Sequence, residues 1–541
     1  MSGGACALAT LLLATTTTVA SPTTSFSEQC LAFQPTSLLP NSIIRLHEHI
    51  PSTTNITLPG MDSTCARTSQ VVPIEACRIA LTIPTSKRSS FIFEIFLPTA
   101  PAWSGRYLAT GNGGIDGCIK YEDIAYGLSH GFAATGTNNG HNGTSGQAFL
   151  NNPDVVLDFS HRALHTAAEA AKVLIAAFYD KAPDKSYYIG CSGGGRQGIQ
   201  SADLYPHDFD GLLVGSPALN FNYMSAWRAS FYTITGANTS EGFIQAATWQ
   251  GLIHDEVMRQ CDELDGVRDG ILADPALCAA IFRPETLLCN CTSPATTAST
   301  NATCLTPDQV SVVRQVFSPL YGTSGQLLYP GLSPGAESAA TQRLLSGTSF
   351  PYSVDWFRYA VYFNPTWDPA SFTIADADVA ERLNPGNARS WPADLSPLRD
   401  AGNKLLIYHG GADQQVTHFN TERWYDRLSR SMDSPSEELD EWVRFFRIPG
   451  MGHCSGGTGA AWKFGQSAAT AEGLPFEGER NVLKALVEWV EEEKAPDGVL
   501  GTMAEDGGTR WHCRYPEESV WVDGQWTCGR VLSGVDAAVE V

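Results

Sequence analysis

The sequence predicts an α/β domain with a mostly parallel sheet, interrupted by one long insertion. Strand-like and helix-like segments alternate up to residue 214, the alternation stops between about 221 and 395, and it resumes at 404. A chain of 541 residues and 58.2 kDa has enough material for a large core plus such an insertion.

The elements follow in order. Residues 25–118 hold short apolar runs broken by Pro and Gly, with 91–97 and 106–109 reading as strands. Residues 159–179 carry apolar side chains at helical spacing. A strand at 186–189, a helix at 196–204 and a strand at 211–214 complete a strand–helix–strand unit, the signature of parallel pairing. The insertion has clustered cysteines, Pro/Gly/Ser/Thr-rich loops and the aromatics Trp356, Phe357, Tyr359, Phe363 and Trp367. Strands at 404–408 and 443–448 and a helix at 481–493 then close the domain. The expected divisions are 1–20 (leader), 21–220 (first part of the core), 221–395 (insertion) and 396–541 (second part of the core).

Composition narrows the function. Hydrophobic residues make up 43% and charged residues 17%, which excludes wholesale disorder. A balance of 35 basic against 57 acidic residues gives a net charge of −22, which argues against nucleic acid or an anionic membrane as partner. A short apolar stretch from Leu8 to Leu13, followed by a Thr-rich segment ending at Ala20, reads as a cleavable signal with a weak basic region. The expected location is therefore extracellular. Of 14 cysteines, Cys6 falls in the leader, and thirteen others suit an oxidising compartment, with one left over after pairing. Asn55, Asn142, Asn238, Asn290 and Asn301 each open a glycosylation sequon.

The chemistry centres on Gly190-Cys191-Ser192-Gly193-Gly194, a G-x-S-x-G string between a strand and a helix. A sharp turn there lifts the serine hydroxyl above the sheet. The same stretch supports a rival reading, since Gly193 to Gly198 satisfies G-x-G-x-x-G and could cradle a dinucleotide pyrophosphate. That reading needs an acidic residue at the end of the next strand, where Gly215-Ser216-Pro217 offers none. A serine hydrolase needs an acid and then a histidine after later strands. Asp413 follows one strand and His453 the next, in the chain order of an α/β-hydrolase triad. Ser192 is then the nucleophile, His453 the base and Asp413 the group that orients it. Asp394 and Asp376 compete as the acid, and His409 and His418 as the base. An oxyanion hole needs backbone N–H donors: Gly193 is the first, and Gly113 or Gly114 in Gly111-Asn112-Gly113-Gly114 the second. Because the triad loops must meet, Cys191 beside the serine and Cys454 beside the histidine come within bonding range.

Within the insertion, residues 261–271 are dense in carboxylates and turn glycines. Hard oxygen ligands at such spacing suit Ca²⁺, and a solvated acidic turn is the plainer alternative.

Gly-Cys-Ser-Gly-Gly-Gly-Arg-Gln-Gly, the Asp413 loop and Gly-His-Cys together resemble the fungal tannase/feruloyl esterase family, from about Cys30 to Cys528 and including Cys513-Arg514-Tyr515-Pro516. The resemblance implies an α/β-hydrolase fold with a mostly parallel sheet and a large lid-domain insertion. It also implies hydrolysis of phenolic acid esters without a redox cofactor. It further implies structural Ca²⁺ in the lid, held by the side chains of Asp262, Asp265 and Asp269 and the carbonyls of Val267 and Ile271, in a loop-rich lid with little core of its own. The disulfides it implies are Cys30–Cys77, Cys65–Cys118, Cys261–Cys278, Cys513–Cys528, and Cys304 with Cys289 or Cys291. Feruloyl esters of plant cell-wall polysaccharide are the expected substrates and galloyl esters the alternative. A secreted dinucleotide-dependent oxidoreductase and a non-catalytic calcium-dependent binding protein are the readings from other classes. Neither accounts for cysteines flanking both Ser192 and His453.

Overall fold

The computed structural model describes residues 1, 3, 25–289, 303–457, 462–503 and 507–529. The rest of the expected leader, Asn290, Cys291 and Asn301 lie outside them.

Nine strands form the central sheet: β1 (Ile43–Ile50), β2 (Ala76–Pro84), β3 (Ser90–Pro98), β4 (Arg106–Thr110), β5 (Ala133–Thr137), β6 (Lys185–Cys191), β7 (Gly211–Gly215), β8 (Lys404–Gly410) and β9 (Val443–Ile448). Their spatial order is β1-β2-β3-β5-β4-β6-β7-β8-β9. The first three strands are antiparallel, and β5, β4 and β6 to β9 run parallel. Parallel strands are covered on both faces, so they read as continuous apolar runs. In β8, Leu405, Leu406 and Ile407 are all fully buried.

Helices cover both faces. On one side α1 (Ala163–Tyr179) turns Ala167, Ala171, Leu174 and Ile175 onto the sheet, beside α4 (Phe419–Met432). On the other, α5 (Val482–Glu492) buries Leu483, Leu486 and Val487, and the Asn481 side chain caps it by accepting from the Lys484 N–H. β5 escapes sequence detection because Ala-Ala-Thr-Gly-Thr carries no apolar pattern. The same holds at the end of the described residues, where Gly498–Met503 pairs with both Trp462–Lys463 and Thr509–Cys513 in a small antiparallel sheet.

The register decides where function can sit. Cys191 pairs with Gly215, Gly215 with Tyr408, and Gly410 with Ile448. The carboxyl ends of β6, β7, β8 and β9 therefore open along one edge of the sheet, where open α/β sheets bind ligands.

Between β7 and β8 the chain leaves the sheet and builds the insertion, starting with α3 (Phe221–Thr235). Contrary to the expectation of a lid with little core, it holds an extensive one. Trp227, Trp249, Trp356 and Phe357 are buried among Leu328, Leu332, Leu344 and Leu345. Apart from α3 and the helices Pro307–Phe317 and Ile374–Leu383, the core lies in short helical turns too brief to show a 3.6-residue period. Tyr359 and Trp367 pack against the same cluster, so these aromatics hold the insertion together, while Phe363 is exposed. Ile115, Phe149, Val155 and Phe159 from the first part of the chain join that cluster and fasten the insertion to the core.

Among the described residues six disulfides staple the chain: Cys30–Cys77, Cys65–Cys118, Cys191–Cys454, Cys261–Cys278, Cys289–Cys304 and Cys513–Cys528. Cys304 thus pairs with Cys289. Asn55, Asn142 and Asn238 are exposed.

Candidate active site

Ser192 sits between β6 and α2 (Gly193–Leu204) with φ 61° and ψ −118°, a region that side-chain-bearing residues rarely occupy. Its N–H donates to the Gly215 carbonyl at 2.9 Å, and its own carbonyl accepts from Arg196 and Ala218. The turn is closed on both sides, and the hydroxyl is left part-exposed. Glycines permit this packing. A Cβ on Gly194 would lie 2.8 Å from the Asn112 carbonyl oxygen, so loop 111–114 and the start of α2 meet backbone to backbone.

The next two glycines of the stretch bring α2 against the sheet in the same way. A Cβ on Gly195 would lie 2.5 Å from the Gly215 carbonyl, and one on Gly198 2.8 Å from Tyr188 and Val214. These glycines seat α2 closely on the sheet.

Asp413 is fully buried in the loop after β8. Its Oδ1 accepts the N–H groups of Gln415 and Val416, each at 2.8 Å. Its Oδ2 lies 2.7 Å from His453 Nδ1. Burial opposes its charge, yet the imidazoles of His453 and His409 and the hydrogen bonds they donate hold the carboxyl far below its ordinary range. The competing acids are occupied elsewhere: Asp394 accepts from the Ser396 N–H, and Asp376 caps the helix Ile374–Leu383. His418 is buried beside Glu422, and His409 lies behind Asp413.

His453 is part-exposed on the loop after β9, and its N–H is fixed by Gln414 Oε1 at 3.0 Å. The Cys191–Cys454 bond brings it to the serine turn, with the two Cα atoms 6.1 Å apart. Its Nδ1 is taken by Asp413, while Nε2 and Ser192 Oγ carry no hydrogen bond among the described residues. Both residues are part-exposed, and the disulfide joins their immediate neighbours.

The structure separates the two expected oxyanion glycines. The Gly113 N–H donates to Asp116 Oδ1 at 3.3 Å. Among the described residues the Gly114 N–H has no such partner, and its nitrogen lies 3.1 Å from where a Gly193 Cβ would stand. Gly114 and Gly193, the latter opening α2 where helix N–H groups are free, are therefore the pair that meets.

Three residues that sequence reasoning missed shape this site. Gln197 in α2 accepts from the Asn112 N–H at 2.9 Å and donates to Asn139 at 2.8 Å, anchoring loop 111–114. Tyr352 of the insertion lays its ring over Gly114, its ring carbons 2.5 and 2.6 Å from where a Cβ there would lie. Arg228 of α3 donates from Nε to the Gln415 carbonyl at 2.9 Å, reaching the Asp413 loop from the insertion. No local pattern announces any of them, because each acts across a large sequence separation. A groove of about 790 Å³ between β1 and the hairpin Thr54–Thr57/Ser69–Val72 contains none of Ser192, Asp413 or His453.

In the insertion, Asp262, Asp265 and Asp269 each give one oxygen to a loop N–H at 3.0 Å, from Gly270, Val267 and Ile271 respectively. Asp265 Oδ2 is buried with no hydrogen-bond partner. Arg510 approaches at 4.0 Å from Asp265 and 3.7 Å from Asp269, beyond hydrogen-bond reach. Burial raises the pKa of both aspartates despite that guanidinium. Hard oxygen donors short of positive charge fit Ca²⁺. Cys30, His47 and Cys77 also place their donor atoms within 4.8 Å of one another, but the two sulfurs are bonded to each other.

Comparison with known proteins agrees with this geometry. The family described as tannase and feruloyl esterase matches residues 77–362 and 380–531. A protein of Aspergillus flavus named "Probable feruloyl esterase B-2" is 50% identical over 500 residues, 91% of this chain and 94% of its own length. The crystal structure of feruloyl esterase B from Aspergillus oryzae superimposes with a TM-score of 0.88 at 40% identity, over 93% of this chain and all of that one. The tannin acyl hydrolase of Aspergillus niger shares the fold, with a TM-score of 0.75 at 19% identity over 94% of this chain and 96% of its own. The chain belongs to the tannase and feruloyl esterase family and is a carboxylic ester hydrolase with an α/β-hydrolase fold.

Proposed function

We propose that this chain is a secreted feruloyl esterase that works through a Ser192–His453–Asp413 triad and an acyl-enzyme. The observation that carries the reading is the Cys191–Cys454 bond, which sets Ser192 beside a histidine whose Nδ1 is 2.7 Å from buried Asp413. The substrate class rests on relatives named feruloyl esterases at 50% and 40% identity. Six disulfides support an extracellular site of action.

In this mechanism Ser192 Oγ attacks the ester carbonyl carbon and passes its proton to His453 Nε2. Asp413 keeps the Nδ1–H tautomer and balances the imidazolium. The N–H groups of Gly193 and Gly114 receive the developing oxyanion. Collapse expels the alcohol, which leaves with the proton from Nε2. Water then attacks the acyl-enzyme, giving its proton to His453, and the acid departs as Ser192 recovers its own. Asp262, Asp265 and Asp269, with the carbonyls of Val267 and Ile271, would hold Ca²⁺, which supplies charge compensation to that loop.

Hydrolysis of methyl ferulate and methyl gallate, measured side by side with Ser192→Ala as control, tests the reading. Turnover of ferulate abolished by the substitution is expected. A variant that keeps wild-type activity removes Ser192 as nucleophile, and faster turnover of gallate reassigns the substrate.

A further inference from the structure

The carboxylate of Asp413 is held from two sides. His453 meets Oδ2 from the solvent side at 2.7 Å, and His409 meets the same oxygen from the protein side at 3.2 Å. His409 is fully buried near the end of β8. Its Nε2 also lies 2.8 Å from the Val416 carbonyl oxygen, and its Nδ1 lies 2.9 Å from Thr421 Oγ1. A carbonyl oxygen can only accept, so Nε2 carries a proton, and in the neutral ring Nδ1 is free to accept from the Thr421 hydroxyl. The Nε2–H is then shared between Val416 and Asp413. With the two N–H bonds to Oδ1, four donors surround one carboxylate, and it cannot rotate about its Cβ–Cγ bond without losing several of them.

We propose that His409 is a positioning residue for the Asp413–His453 pair, in the Nε2–H tautomer that Thr421 and Val416 select. The proposal rests on the triad reading above. The imidazole does two things to the reaction without touching substrate. It fixes the plane of the carboxylate, and so the direction in which His453 Nε2 faces Ser192. It also takes up part of the charge on Oδ2, so the carboxylate pulls less strongly on the His453 Nδ1–H. Loss of this donor disorders the first and strengthens the second. Other ionisable groups facing the pair are Arg228 from α3, Tyr329 of the insertion, His418 and Glu422 at the start of α4, and Arg447 from β9. All of them remain when His409 changes.

The test is the pH dependence of kcat and kcat/KM for wild type, His409→Leu, His409→Gln and Thr421→Val, on whichever of the two methyl esters the wild type hydrolyses. His409→Leu removes the donor and should lower kcat about 10- to 100-fold with KM within about threefold, because alignment rather than binding is lost. The acid limb of its kcat/KM profile should move up by about half a pH unit as the carboxylate gains basicity toward His453. His409→Gln, which keeps an N–H at similar reach, should restore most of kcat and return the limb. Thr421→Val is close to isosteric and releases the tautomer, so it should show a smaller change in the same direction; it decides the matter if His409→Leu does not fold. An unmoved acid limb in both His409→Leu and Thr421→Val, or loss of kcat that Gln does not rescue, overturns the proposal. Asp413→Asn and Ser192→Ala in the same assay separate the two readings. If they retain activity the triad fails, and if they are inactive while His409→Leu behaves as wild type only the role of His409 does.

Discussion

Cys454 is bonded to Cys191 across 263 positions of sequence, and it adopts a left-handed backbone conformation with φ 66° to make the bond. Ser192 and His453 are the residues next to those two sulfurs, so the bond fixes the separation of two loops that no strand pairing links directly. Replacing both cysteines by alanine should therefore reduce kcat by about a hundredfold while KM changes little, since misplacing an aligned base costs rate before it costs binding. Steady-state kinetics with a far-ultraviolet spectrum to confirm folding checks this. An unchanged kcat would mean that packing alone aligns the loops.

Gln197 offers a test of the other half of the site. Its amide bridges the Asn112 backbone and the Asn139 side chain and is almost fully buried, so Gln197→Ala takes the partner from the Asn112 N–H and leaves Asn139 Oδ1 only the Thr137 hydroxyl. The expected result is a loss of about tenfold in kcat from a displaced Gly114 N–H, with a loss of roughly 2 kcal/mol in stability. Kinetics and chemical denaturation on the same variant read both. A stability loss without a kcat loss would detach loop 111–114 from catalysis.

The strands β3, β4 and β6 to β9 were legible because buried strands are short apolar runs, and the candidate residues Ser192, Asp413 and His453 stood out because they fall in the loops that follow such strands. What escaped detection depends on relations between distant residues. β5 is built from small side chains, and the core of the insertion is scattered over brief helical turns. Arg228 and Tyr352 reach the site only after the insertion has folded back over loop 111–114 and the Asp413 loop. His409 was visible as a histidine near the strand end, but its two-sided geometry was not, since it needs Thr421 and Val416 to be placed first.

Calcium should act on stability rather than on the chemical step. Asp262, Asp265 and Asp269 lie in the insertion, and none of them is among the hydrogen-bond partners of Ser192, Asp413 or His453. Chelation with EDTA is expected to lower the Tm by about 5 °C, with recovery on adding Ca²⁺. Asp265→Asn should lower the Tm of the untreated protein and blunt its response to EDTA. A Tm indifferent to chelator and to added Ca²⁺ in differential scanning fluorimetry would leave Arg510 as the only charge compensation for these aspartates.

His512 provides a prediction about pH. It is fully buried between Trp462 and Phe464, and among the described residues neither ring nitrogen has a hydrogen-bond partner. Burial, with a further contribution from the charge of Arg510, pushes its pKa down to about 3. The unfolded chain binds a proton at this site below about pH 6.5, whereas the folded chain does not until near pH 3, so acid favours the unfolded state over that window. The destabilisation grows by about 1.4 kcal/mol for each pH unit below 6.5. His512→Leu removes the titrating group and its unpartnered nitrogens while keeping an apolar side chain in the same cluster. The variant's stability relative to wild type should therefore rise by about 2 kcal/mol between pH 7 and pH 5. Urea denaturation of both proteins at the two pH values measures the difference directly. If it stays constant with pH, His512 does not remain neutral in the folded protein, and a proton acceptor must reach it.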